Sequence, residues 1–133
     1  MLASQLPVAP TVRTKALKYK EVKERHNITL TDWATDQLLS WTESTGLSRS
    51  EIVERLVRGL FELPSLSRHV EGDPHSTNDY SILLTPWAWE RLGRWSDRLG
   101  VSRSDMIVRL VSRQFIVDEQ YRAVHHAGQF TLL

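Results

Sequence analysis

Displaced along itself by 54 residues, the chain meets its own pattern again: Ile28-Thr29-Leu30-Thr31-Asp32-Trp33-Ala34 falls on Ile82-Leu83-Leu84-Thr85-Pro86-Trp87-Ala88. The match runs on without a gap. Leu38 meets Leu92, Trp41 meets Trp95, Gly46-Leu47-Ser48-Arg49-Ser50 meets Gly100-Val101-Ser102-Arg103-Ser104, Arg55-Leu56-Val57 meets Arg109-Leu110-Val111, and Phe61 meets Phe115. Fifteen of the 34 positions from 28 to 61 are identical, far beyond chance for an ungapped window. The body is therefore one small unit made twice, and its copies have to bury each other.

Both copies open on strand periodicity, with Ile28 and Leu30, or Ile82 and Leu84, two residues apart. Thr31 and Thr85 then stand where a helix N-cap belongs, and Pro86 takes a first-turn position at which its missing N–H costs nothing. Ala34, Leu38 and Trp41, like Ala88, Leu92 and Trp95, recur at helical spacing and predict a buried stripe. Gly46 and Gly100 end this helix, since glycine favours the left-handed residue that closes one. A second helix begins at once, capped by Ser48-Arg49-Ser50-Glu51 and Ser102-Arg103-Ser104-Asp105. Its predicted buried face is Ile52, Val53, Leu56, Val57 and Leu60 in one copy and Met106, Ile107, Leu110, Val111 and Phe115 in the other.

A unit of strand, helix, turn and helix, about 35 residues long, has no ladder partner and too small a core to stand alone. Pairing the two strands antiparallel and interlocking the helices solves both problems. The expected fold is mainly α with a small β-ribbon, an intramolecular pseudo-dimer around a two-stranded antiparallel sheet. Residues 25–61 and 79–115 are the two units, and the turn-rich, polar 62–78 is the linker. Residues 1–24 form a basic arm of net charge +3, with Arg13, Lys15, Lys18, Lys20 and Lys23 against Glu21 and Glu24. Residues 116–133 form a partly helical extension, continuing the second helix through Val117, Tyr121 and Val124.

Several classes of function are argued against. The absence of cysteine removes disulfides, zinc ribbons, iron–sulfur clusters and thiol nucleophiles, and makes a reducing cytoplasm the default location. No apolar run approaches the ~18 residues of a membrane span, and Met1 to Pro10 has two prolines and no basic start, unlike a secretion signal. His26, His69, His75, His125 and His126 form no i, i+4 pair, so no metal and no other cofactor is expected. Gly46-Leu47-Ser48-Arg49-Ser50 lacks the final glycine and preceding strand of a nucleophile elbow, and no phosphate-binding glycine loop occurs; the chain does not read as an enzyme. Trp41 and Trp95 belong to the core, whereas Trp33, Trp87 and Trp89 are either core or an exposed contact patch.

On Ile28-Thr29-Leu30-Thr31, the helix ending at Gly46-Leu47-Ser48-Arg49-Ser50, and their counterparts, the chain resembles the ribbon-helix-helix DNA-binding proteins. That family includes the methionine and Arc repressors, plasmid copy-number repressors and antitoxins. The resemblance covers about 72 of 133 residues and fits the tandem, single-chain form, similar in layout to relaxosome accessory proteins. It implies sequence-specific binding of double-stranded DNA through a β-ribbon in the major groove, as a transcriptional repressor or a plasmid or mobile-element accessory factor.

With Ile28, Leu30, Ile82 and Leu84 inward, Arg25, Asn27, Thr29, Asp79, Ser81 and Leu83 point outward and become the base-contacting candidates. Arg25 suits guanine, Asn27 adenine, Leu83 only a thymine methyl; Asp79 either accepts from a cytosine amine or pairs with Arg25 across the ribbon. The two halves are thus expected to prefer different sequences. Ser48, Arg49, Ser50, Ser102, Arg103 and Ser104 are candidate phosphate contacts at helix starts, or ordinary capping boxes, and the arm adds further phosphate or minor-groove contacts. Homo-oligomers of pseudo-dimers on adjacent sites, and a protein partner held by the C-terminal extension, stay open. The competing reading is a protein-interaction adaptor on the same fold.

Overall fold

The computed structural model of the chain describes residues 19–65, 69–118 and 123–126, the last four by their backbone alone. Strand β1 (Glu24–Thr31) leads into α1 (Asp32–Thr45) and α2 (Arg49–Arg58); β2 (Thr77–Leu84) leads into α3 (Pro86–Leu99) and α4 (Arg103–Val111). The four helices and the antiparallel β1–β2 sheet make a small, mainly helical fold on a ribbon.

The caps form where the serines and threonines stand. Thr31 Oγ1 and Thr85 Oγ1 accept from the N–H groups of Ala34 and Ala88 at 3.1 Å, and Ser48 and Ser102 accept from Glu51 and Asp105 at 3.0 Å. Each satisfies a backbone donor that has no partner inside its helix. Gly46 and Gly100 close α1 and α3 at φ 77° and 70°. A left-handed residue also follows each second helix at matching places: Gly59, the cap of α2, at φ 72° and, 54 positions on, Arg113, one residue past the cap Ser112 of α4, at φ 65°. A Cβ on Gly59 would lie 1.9 Å from the Asp118 carbonyl oxygen, so this position is closed to side chains as well as bent.

The register of β1 on β2 follows the repeat. Asn27 pairs with Ser81, its own counterpart; Arg25 pairs with Leu83, the counterpart of Thr29, and Thr29 pairs with Asp79, the counterpart of Arg25. Ile28, Leu30, Ile82 and Leu84 are buried beneath this ribbon, on a core of Ala34, Leu38, Trp41, Ala88, Leu92, Trp95 and the inner faces of α2 and α4. The second helices cross over, α4 packing on β1 and α2 on β2, so each strand is covered by the other copy's helix. Trp41 meets Phe61, and Trp95 meets Phe115, with ring centroids 5.0 Å apart in both cases.

Three expectations need correction. Leu60 is not part of the buried face of α2: the helix stops at Arg58, the chain turns at Gly59, and Leu60 is left 47% exposed. The extension does not prolong the last helix either. The left-handed Arg113 turns the chain so that Phe115 packs on Trp95, and β3 (Phe115–Val117) pairs antiparallel with β4 (Ala123–His126), placing Val117 and the backbone of Val124 in strands; Tyr121 lies outside the described residues. Part of the linker is built into the fold as well: Asp32 N–H donates to the Ser76 carbonyl at 2.8 Å and Trp33 N–H to that of Asp73 at 3.2 Å, and β2 already begins at Thr77. Among the described residues no helix is long and apolar enough to cross a membrane.

Candidate nucleic-acid interface

Strand alternation buries one face of the ribbon and leaves the other to solvent. Arg25, Asn27, Thr29, Asp79, Ser81 and Leu83 are all exposed on that outer face. They are not independent side chains. Ser81 Oγ donates to Asn27 Oδ1 at 3.1 Å, and Thr29 Oγ1 donates to Asp79 Oδ1 at 2.9 Å. Arg25 is at the opposite end of the face, beside Leu83, so the cross-ribbon partner of Asp79 is Thr29 and not Arg25.

The helix starts reach the ribbon through their serines. Ser50 Oγ accepts from Leu83 N–H at 2.8 Å, and Ser104 Oγ accepts from Thr29 N–H at 2.9 Å. Positions 50 and 104, and 29 and 83, are counterparts, so one bond is made twice with the copies exchanged. Each strand edge is thereby closed by the other copy's helix, and both helix N-termini lie along the rim of the outer face. In these bonds and in the caps of Ser48 and Ser102 the serine oxygen accepts, which leaves its proton for an outside acceptor.

The two arginines at these starts are held differently. Arg49 is exposed, its guanidinium 4.9 Å from the centre of the Tyr80 ring. Arg103 is folded inward: its Nε donates to the Trp89 carbonyl at 2.9 Å, it lies 4.6 Å from the Trp89 ring, and it fills the space a Cβ on Gly93 would need. Trp89 in turn stacks on His26 at 3.7 Å with the rings 6° from parallel. Burial lowers the His26 pKa and Arg103 pushes it the same way, while the Glu24 carboxylate, 3.9 Å from Nε2, opposes them. The difference between the copies is written in the sequence, because Thr35 and Leu39 occupy the counterpart positions of Trp89 and Gly93. Trp33, Trp87 and Trp89 are all partly buried against the core.

Of the basic arm, Arg13, Lys15 and Lys18 lie outside the described residues. Lys20 is exposed, whereas Lys23 is paired with Glu51 at 3.1 Å. Tyr19 also bonds Glu51, and Glu21 accepts from Trp87 N–H at 3.0 Å, so the end of the arm is docked on the helices. Sequence reasoning missed Glu54, which is fully buried and accepts from Thr85 N–H, Thr85 Oγ1 and Arg58 Nε at 3.0, 2.7 and 2.7 Å. The available signal was a charge on an otherwise apolar helix face where the second copy has Val108. No protein-family model matches the chain, and no curated protein and no solved structure matches it.

Proposed function

We propose that the chain is a tandem ribbon-helix-helix protein, folded as an intramolecular pseudo-dimer, that binds double-stranded DNA by laying the β1–β2 ribbon in the major groove. The observation that carries this reading is the register of Asn27 on Ser81, 54 residues apart, which gathers Arg25, Asn27, Thr29, Asp79, Ser81 and Leu83 on one exposed face. A two-stranded ribbon fits a groove about 12 Å wide, where every base pair offers a distinct set of donors and acceptors. The N-termini of α2 and α4 flank the face, and the first backbone N–H groups of a helix, which have no acceptor inside it, together with its positive end suit phosphate. Such a protein serves as a transcriptional repressor or as an accessory factor of a plasmid or mobile element, on an operator without two-fold symmetry.

Binding of the full chain to mixed-sequence duplex at two salt concentrations tests the reading. About three neutralised phosphates give a roughly fortyfold loss of affinity between about 50 and 200 mM salt. The second reading, a protein adaptor, is favoured by one observation: Arg25 and Asp79 cancel on the outer face, and Leu83 is 39% exposed there. It calls for almost no salt dependence and little affinity for duplex.

A further inference from the structure

Hydrogen bonding along the outer face of the ribbon changes character from one end to the other. At one end Arg25 stands beside Leu83, offering only donors and an apolar surface. At the centre, Asn27 Oδ1 already accepts from Ser81, which turns the amide nitrogen into its less committed group. At the far end the Thr29 hydroxyl proton is directed at Asp79 Oδ1, so this end presents acceptors: the threonine lone pairs and Asp79 Oδ2. Asn27, Thr29, Asp79 and Ser81 line an open depression of about 520 Å³ in which a base edge has room to approach.

We infer, on the proposed duplex reading, that the ribbon reads DNA in one orientation only: guanine faces Arg25, and a base with an amino group, cytosine or adenine, faces Asp79. Guanine and thymine present no amino donor in the major groove, so a carboxylate facing them is repelled by O6, N7 or O4 and stays desolvated without a partner. Asp79 thus specifies mostly by rejection. The spacing follows from the strand: Arg25 and Thr29 are separated by four residues at about 3.3 Å each, close to four base-pair steps of about 3.4 Å. A homodimeric ribbon would carry the same side chain at both ends and select a palindrome. This one does not.

Selection of bound duplexes from a random pool, with the full chain and its Asp79→Ala and Asp79→Asn variants, tests the inference. Asp79 is exposed, and thermal melts of both variants check that the fold is retained. The wild-type chain is expected to select non-palindromic sites in which cytosine or adenine exceeds guanine or thymine about tenfold at one position. Guanine is expected about four steps away. Asp79→Ala should flatten the first position to within about twofold and leave the guanine untouched, and Asp79→Asn, which adds donors, should also admit guanine or thymine. Palindromic sites, or an unchanged preference in Asp79→Ala, would overturn the inference while duplex binding stands. A wild-type chain that enriches no duplex and shows no salt dependence overturns the duplex reading, and this inference with it.

Discussion

Arg113 holds a conformation that its side chain disfavours, at the place where the first copy uses Gly59. For an L residue the left-handed region costs about 1–2 kcal/mol, which glycine avoids. Arg113→Gly should therefore stabilise the fold by about 1 kcal/mol, a rise in Tm of roughly 4–8 °C for a domain this small. Gly59→Ala should do the reverse by at least about 2 kcal/mol, because strain is joined by a clash with the Asp118 carbonyl. Paired thermal unfolding curves decide both. His26 supplies a pH dependence at the same scale. Burial depresses its folded pKa below the ordinary 6.5, so below that pH the unfolded chain binds the proton more readily than the folded one. Its contribution to stability is thus complete above about pH 6.5 and lost as pH falls through the lower, folded value. Urea unfolding of the wild-type chain and of His26→Phe across this range should show a decline that the variant lacks.

At the scale of elements, α2 is joined to the start of α3 by a buried charge network that has no counterpart between α4 and α1. Glu54 receives both polar hydrogens of Thr85, and Arg58 bonds Glu54 and Thr85 while lying over the rings of Tyr19 and Trp87, 4.2 and 4.6 Å from their centres. Glu54→Ala leaves a buried N–H, a hydroxyl and a guanidinium without their acceptor and should cost about 3–5 kcal/mol in urea unfolding. The paired change Glu54→Val with Arg58→Ser, which installs the residues found at 108 and 112, removes both charges and should cost less. The sequence made the strands, the caps at Thr31, Ser48, Thr85 and Ser102, and the stops at Gly46 and Gly100 legible because a period of 54 residues displayed each signal twice. Some features present in one copy alone were not legible. Glu54 stands out as a charge on an apolar face, but nothing in the sequence points to Thr85 as its partner, and β3 with β4 arises from a turn at an arginine, a residue that gives no sign of left-handed backbone. The outer face was legible from alternation, but the bonds of Thr29 to Asp79 and Ser50 to Leu83 needed the register and the crossing of the helices.

For the molecule as a whole, on the proposed duplex reading, a net charge of +1 matters less than where the cations stand. Symmetry of sequence would make Arg49 and Arg103 equal candidates for phosphate; packing separates them. Arg49 rests on Tyr80 at the exposed start of α2 and can turn to a phosphate at little cost, while Arg103 would have to give up the Trp89 carbonyl and the slot above Gly93. Arg49→Ala should therefore weaken binding to all duplexes similarly and lower the slope of log affinity against log salt by about 1, with little change in Tm. Arg103→Ala should lower Tm, since it removes the guanidinium's bond to the Trp89 carbonyl and uncovers the ring that stacks on His26, and should leave the salt slope nearly unchanged. Asn27→Ala should leave the slope alone too but alter which sequences are preferred, because on the proposed reading its amide, at the centre of the exposed face, meets bases and not the backbone. Salt titrations and thermal melts of these variants separate the three roles, and equal slope losses for Arg49→Ala and Arg103→Ala would mean that the Trp89 slot opens when duplex binds.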